Sequence, residues 1–390
     1  MRRILLLAGA IVFVDTLFFA ALTPLLPHYA ARFDLTKTGA GLLAAAYPLG
    51  VLLGGIPSGF FAARFGVKAT AITALCLIAA SSIVFGYGDS IVLLDTARFT
   101  QGLGSACAWT AALTWLVSAA PAGRRGQLIG SALGVAIGGA MFGPVAGALA
   151  SVAGTGPVFA GIGGLCLLVA LVALRTPAPP PRPGQPIRRL GRALADPRIL
   201  GGLWLVALPA LLFGLQGVLV PLRLSELGLG AVAIGAVYLV ATCLEAVAAP
   251  LVGRLSDRRG RRLPVMFGLG ASAVATAVLP WPEAAAALAV IAVFAALAFG
   301  ISWSPAMSFI SESAEQIGVD VAWGFALINL AWAPGQALGA FGGGALARAT
   351  SDAVPYLLLC AACLVTLGAV IHSRRARHVA GSASEPAAPG

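Results

Sequence analysis

Twelve apolar runs of about twenty residues each, with little polar sequence between them, govern what this chain can fold into. They lie at about 4–26, 40–62, 69–88, 91–119, 128–152, 157–174, 199–221, 231–252, 263–281, 284–311, 322–347 and 353–373. A helix rises about 1.5 Å per residue, so about 20 apolar residues cross the hydrocarbon of a bilayer. Lipid offers the backbone no hydrogen bonds, so each run must be helical and an open sheet is excluded. Barrel strands would be about 10 residues long and alternate in polarity, whereas these runs are uniformly apolar. Composition agrees: 59% of the 390 residues are hydrophobic and 10% charged, against roughly 25% charged in a soluble domain. A disordered chain needs low hydrophobicity, which is the reverse of what is found. The first run is too long, and too clearly continued by others, for a cleaved signal.

The net charge of +11 invites a nucleic-acid reading, but its placement argues against one. With the N-terminus inside, 20 of the 25 Lys and Arg fall in cytoplasmic segments, 4 on the other face, and one, Arg98, within a span. That asymmetry is the positive-inside pattern. Twelve spans then place both termini in the cytoplasm. The six Cys all lie in apolar runs, and Cys360-x-x-Cys363 reads as two small soft residues of a membrane helix. With three His in the chain, no metal site assembles.

The longest polar stretch, 175–198, opens on a Pro-rich spacer that cannot be helical. Ile187, Leu190 and Leu194 then recur among Arg188, Arg189 and Arg192, which predicts a short amphipathic helix on the lipid surface. Six runs precede this linker and six follow. The two sides repeat: Gly59-Phe-Phe-Ala-Ala-Arg64-Phe-Gly66-Val-Lys68 is answered by Gly253-Arg-Leu-Ser-Asp257-Arg258-Arg-Gly260-Arg261-Arg262, an offset of 194. Gly139-x3-Gly143-Pro144 is answered by Gly335-x3-Gly339-Ala340, an offset of 196, and Pro24-Leu25 by Pro221-Leu222, an offset of 197. A repeat of half the chain is the signature of secondary transporters, with the site between the repeats near the midplane.

Three ionisable residues sit deep in the runs: Asp15, Arg98 and Glu245. A charge at such depth costs roughly 2.5–3.5 kcal/mol on insertion scales. Arg98 has a local candidate partner in Asp95 at i,i+3; the two carboxyls have none in their own runs. Helical spacing sets Phe18, Phe19 and Leu22 on the face of Asp15, and Tyr238 and Thr242 on that of Glu245. Arg98, Gln101, Ser105 and Trp109 form a third stripe, and Phe325, Asn329, Trp332 and Gln336 a fourth. Each stripe singly fits helix packing as well as a cavity. Aromatic rings with one or two acids suit bulky, lipophilic, cationic ligands.

These motifs make the whole chain resemble the major facilitator superfamily. The second-half loop carries the family pattern G-x-L-x-D-R-x-G-R-R at Gly253, Asp257, Arg258, Gly260 and Arg261; the first half keeps Gly59, Arg64, Gly66 and Lys68 but has Ala63 in the place of the Asp. Its charges would latch neighbouring helix ends. In the fifth run Gly130, Gly139, Gly143, Pro144 and Gly147 are similar to the motif of the drug:proton antiporters, with Ala148 where a further Gly is usual. Arg98-x-x-Gln101-Gly102 is similar to the R-x-x-Q-G motif in which the Arg takes part in proton handling, and the acidic first run ending in Pro24-x-x-Pro27 looks like that of drug and vesicular-amine exporters.

The resemblance implies an all-α integral membrane protein of twelve transmembrane helices in two pseudo-symmetric six-helix bundles. Their expected bounds are 1–174 and 199–373, with a cytoplasmic linker at 175–198 and a disordered tail at 374–390. It implies proton-coupled efflux of small amphipathic or cationic molecules by a monomer, without a cofactor beyond the proton gradient and without nucleic acid. Asp15, Glu245 and Arg98 are the expected coupling groups; a carboxyl that alternates between proton and substrate cation suffices for antiport. The scarcity of Lys and the abundance of Ala and Gly point to a GC-rich bacterial genome and its inner membrane. Export of one metabolite (a sugar, nucleoside or amino acid), a lipid flippase and a non-transporting sensor stay open on the same fold. An enzyme is disfavoured, because no metalloprotease, P-loop or nucleophile-elbow motif occurs.

Overall fold

The computed structural model describes residues 2–120, 125–181, 191, 194–260, 262–316 and 321–382, and among them every regular element is a helix. The first part of the chain forms α1 (Arg2–Ala21), a 3-10 turn (Thr23–Leu25), α2 (Leu26–Arg32), α3 (Lys37–Tyr87), α4 (Ile91–Ala119), α5 (Arg125–Ala153) and α6 (Thr155–Leu174). After the linker come α7 (Pro197–Glu226), α8 (Ala231–Arg259), α9 (Arg262–Val278), α10 (Ala285–Ile301) and α11 (Trp303–Gln316). The chain ends in α12 (Val321–Ala337), a π turn (Leu338–Gly342), α13 (Gly343–Ala349) and α14 (Ala353–Ser382).

Among the described residues, eight helical stretches are long and apolar enough to cross a membrane. Helix α3 counts once among them although it contains two apolar runs, since only Gly66, at φ 85°, leaves helical geometry between them. A side chain there would be strained, and Gly260 at φ 82° ends α8 in the same way. The run at 284–311 forms α10 and α11, which meet at Ser302, and 285–307 of it is one stretch long and apolar enough to cross a membrane. Large apolar side chains such as Leu168, Val247, Phe267, Phe294 and Val365 stand on the outer surface, which only lipid can cover. The expected linker helix at 187–194 lies outside the described residues except at 191 and 194; of the tail expected to be disordered, 374–382 instead continue α14 as helix, and 383–390 lie outside the described residues.

Small residues decide how closely the helices approach. On α5, a Cβ added at Gly139 would strike Phe13 and Thr16, at Gly143 Leu17 and Ala20, and at Gly147 Ala21 and Pro24. Thr16 Oγ1 also donates to the Ala136 carbonyl at 2.9 Å across the same seam. After the linker, Gly335, Gly339 and Gly343 stand equally close to Ala207, Leu211 and Leu215 of α7. The two glycine ladders are one arrangement made twice, 196 residues apart. Gly130 faces open space and takes no part.

Helices from the two sides of the linker meet at the end of the molecule opposite residues 2 and 382. There Gly41 of α3 abuts Ala340 and Phe341, Gly344 abuts the Lys37 carbonyl, and Gly235 of α8 abuts Pro144 and Ala148. Arg348 donates to Thr36 Oγ1 at 3.4 Å, and Lys37 pairs with Asp352.

Candidate functional site

The site grows from Asp15, which α1 carries at mid-length and buries completely. Burying a carboxyl is tolerable when hydrogen bonds satisfy its oxygens. Ser105 Oγ lies 2.7 Å and Trp109 Nε1 3.0 Å from Oδ2. The Tyr47 hydroxyl lies 3.2 Å from Oδ2 and 3.4 Å from Oδ1. Tyr47 Oη and Ser105 Oγ are in turn 2.7 Å apart. The partners that α1 lacks thus come from α3 and α4. Two of the four α4 stripe residues, Ser105 and Trp109, form this wall at i, i+4 spacing.

Arg98 is equally deep, at 1% exposure. The last turn of α1 presents the carbonyls of Phe18 to Ala21 where the chain passes into a 3-10 segment at Thr23 and Pro24. Arg98 serves two of them: Nη1 donates to Phe18 O and Nη2 to Phe19 O, each at 3.4 Å. Nη1 also donates to Gln101 Oε1 at 2.6 Å. The guanidinium lies 5.2 Å from the Tyr47 ring centroid and 5.6 Å from that of Phe18. A cation at a helix C-terminus opposes the macrodipole. The expected Asp95–Arg98 pairing does not form. Arg98 turns toward the last-turn carbonyls of α1, and Asp95 Oδ1 is buried without a partner.

The two phenylalanines of α1 part ways. Phe18 is no cavity residue: it is fully buried among Phe85 and Phe159, with centroids 5.8 and 5.3 Å away. Phe19 stacks on Tyr47 at 4.7 Å and reaches Trp332 of α12 at 6.0 Å. Trp332 also meets Tyr47 edge-on at 6.3 Å. This aromatic trio joins the two sides of the linker directly beside Asp15. Sequence spacing missed Tyr47; a tyrosine in the middle of an Ala- and Leu-rich run was the available signal.

Elsewhere the expected site residues are less tightly engaged. Glu245 on α8 is half-buried, beside Gly300 of α10, and among the described residues it forms no hydrogen bond or ion pair. Tyr238, expected in its cavity face, donates its hydroxyl to the Gln216 carbonyl of α7 at 3.1 Å, and the Thr242 hydroxyl turns back to Tyr238 O. Asn329 and Gln336 on α12 are half-buried; Phe325 and Asp257 are described by their backbone alone, and Arg261 lies outside the described residues. No group of metal-ligating side chains occurs among the described residues.

In the repeated loops, one cation on each side bonds a carbonyl of another helix, at the end of α6 on the first side and within α14 on the second. Lys68 donates to the Leu174 carbonyl at 3.0 Å, and Arg262 donates to the carbonyls of Val370 and Ile371. Arg64 and Arg258 stay exposed, and Gly59 and Gly253 sit inside helices without close neighbours. Among the described side chains of the two motifs, the charges that reach another helix are the last of each.

Comparison with known proteins places this geometry. The sequence model described as Major Facilitator Superfamily matches residues 8–340. The human synaptic vesicular amine transporter is 26% identical over 305 residues, 75% of this chain and 58% of its own length. The 4-hydroxybenzoate transporter PcaK of Pseudomonas aeruginosa is 31% identical over 142 residues, 35% of this chain and 32% of its own. The chain thus spans less than two thirds of the length of these relatives. Among solved structures, the E. coli xylose transporter XylE, in a partially occluded inward open conformation, superposes with a TM-score of 0.74 at 15% identity, covering 94% of this chain and 95% of its own.

Proposed function

The chain belongs to the Major Facilitator Superfamily, and on that premise we propose that it is a secondary active transporter that exports small amphipathic or cationic molecules, drugs included, in exchange for protons. The fold is a multi-pass membrane one, and an enzymatic role has no support from this family. Alternating access would move two six-helix bundles, on either side of the 175–198 linker, about the Asp15 layer. A monomer in a bacterial inner membrane, using no cofactor beyond the proton gradient, completes the reading.

The observation that carries it is the Asp15 cluster. A carboxyl held by neutral donors, beside a buried guanidinium and an aromatic contact between the two sides, is equipped to exchange a proton within the membrane. Each proton entering across 100 mV supplies about 2.3 kcal/mol. Asp15 is the first coupling carboxyl and Glu245 the second, with Arg98 setting the field at Asp15. The vesicular amine relative supports a cationic substrate. The aromatic-acid carrier PcaK favours a second reading, export of one specific metabolite, and a substrate screen separates a narrow profile from a broad one.

The test is proton-driven uptake of a lipophilic cationic dye into inverted vesicles holding the full chain or its Asp15→Asn variant. Loss of uptake with dye binding retained is the expected result. Undiminished uptake would remove Asp15 from the coupling step, and the same measurement on Glu245→Gln decides the second carboxyl.

A further inference from the structure

Two carboxyls lie deep in the spans, and their surroundings differ in kind. Asp15 is wholly buried, and its Oδ2 meets Ser105 Oγ at 2.7 Å, Trp109 Nε1 at 3.0 Å and the Tyr47 hydroxyl at 3.2 Å. The Arg98 guanidinium lies within electrostatic reach. An organic cation could touch this carboxyl only by displacing a donor and settling near a like charge, which a low dielectric makes unfavourable. A proton binds on an oxygen that is already enclosed and displaces nothing.

Glu245 is set the other way. Val240, Leu244, Val247 and Leu251 are exposed and recur along one side of α8, which marks its lipid face. At 3.6 residues per turn, Glu245 falls about 130° from the middle of that stripe. It shares its side with Tyr238, two turns earlier, whose hydroxyl reaches inward to the Gln216 carbonyl of α7. The exposed part of Glu245 therefore opens between helices and not to lipid. Gly300 of α10 offers no side chain to cover it: a Cβ there would stand 3.6 Å from Glu245 Cγ and 3.8 Å from Cδ. Among the described residues the carboxyl has no hydrogen bond or ion pair. Helices α5, α7, α9, α10 and α11 pack against α8. The basic residues on them, Arg125, Arg198, Arg223 and Arg262, all stand in a first or last turn, and the acids Glu226, Glu312 and Glu315 stand toward helix C-termini. On α8 itself the other charges begin at Arg254, nine residues on.

We propose that Glu245 is the site of the substrate's positive charge, a monovalent lipophilic ammonium or phosphonium, and that Asp15 takes the proton alone. The inference rests on the antiport reading and divides between two carboxyls a task that one could otherwise perform. Exchange then follows from charge. Asp15, Arg98 and Glu245 lie deep in the spans, whereas Asp95 lies one turn into α4, nearer its outer end. Ionised, the three carry one net negative charge. A proton on Asp15 or a cation at Glu245 brings the sum to zero; both together overshoot it, and neither leaves it negative. A net charge enclosed in the membrane interior is unfavourable, so the two sides exchange states with one ligand or the other, and not with both or neither.

The test uses the full chain in phosphatidylethanolamine–phosphatidylglycerol nanodiscs and tetraphenylphosphonium, a monovalent cation with no proton to lose. Its dissociation constant is measured for the native chain and for Glu245→Gln, Glu245→Asp and Asp15→Asn. Removing one member of a buried charge contact weakens binding by about tenfold or more, and that loss is expected in Glu245→Gln, with an unfolding midpoint no lower than the native one. Glu245→Asp, which keeps the charge, and Asp15→Asn should each stay within about threefold of native. Undiminished binding in Glu245→Gln, a loss there accompanied by a lower midpoint, or a loss of about tenfold in Asp15→Asn overturns the division between the carboxyls and leaves antiport standing. The expected binding pattern without proton-driven uptake by the native chain overturns antiport and leaves Glu245 as the cation site. A native chain that binds no tetraphenylphosphonium overturns both.

Discussion

Lys37 Nζ lies 2.6 and 2.8 Å from the two carboxylate oxygens of Asp352, a residue 315 positions away and on the other side of the linker. The pair sits over the contact of Gly41 with Ala340, at the end where the two sides of the chain close on each other. Partly exposed pairs of this kind contribute about 0.2–1 kcal/mol and weaken in salt. Asp352→Asn should therefore loosen this closure without unfolding the protein. An introduced cysteine replacing Ala340 should react faster with an impermeant maleimide in the Asp352→Asn background, and high salt should reproduce the effect in the native one.

The glycine ladder on α5 makes a second prediction. Gly143→Val places a branched side chain against Ala20 and the Leu17 carbonyl, where the seam has no room. Overpacking of this sort costs about 1–3 kcal/mol. Gly339→Val should act alike on the α7 seam, whereas Gly130→Ala, facing open space, should be silent. Thermal unfolding of the detergent-purified variants checks all three; equal midpoints would refute the ladder.

Much of this was legible in the sequence, for identifiable reasons. The apolar runs report the membrane because lipid leaves the backbone no alternative to a helix. The ladder residues were legible because close approach needs Gly at a fixed spacing, and the repeat displays that spacing twice. The Asp15 partners were half legible. Ser105 and Trp109 follow Arg98 at helical intervals, but nothing along the chain says that α3 brings Tyr47 across to meet them. Phe18 and Phe19 are adjacent, and only the packing of α6 and α12 decides which is core and which meets Trp332. The Asp95 pairing failed because i,i+3 spacing permits a contact without outweighing the carbonyls and Gln101 amide that Arg98 meets instead.

Arg98 holds those carbonyls and Gln101 through separate nitrogens of one planar fork. A lysine has a single nitrogen and cannot reach all of them. Arg98→Lys should lower both stability, by about 1–3 kcal/mol for the lost hydrogen bonds of the buried guanidinium, and proton-driven uptake. Arg98→Ala should lose more on both counts. If Arg98→Lys unfolds like the native chain while transport collapses, the helix-capping role is wrong and the electrostatic one remains.

Glu245 is the contrasting case. It lies half-buried beside Gly300 with no hydrogen bond or ion pair among the described residues, so its charge stabilises nothing that the structure displays. A charge without a compensating partner in a membrane interior is unfavourable. Glu245→Gln removes it at nearly constant volume, and the unfolding midpoint should hold or rise. Asp15→Asn should lower the midpoint, because it disturbs three filled contacts. Function should divide along the same line: Glu245→Gln should reduce export of cationic compounds more than that of neutral ones, read as the susceptibility of expressing cells to matched pairs of each. Equal loss for both classes would show that Glu245 does not discriminate substrate charge.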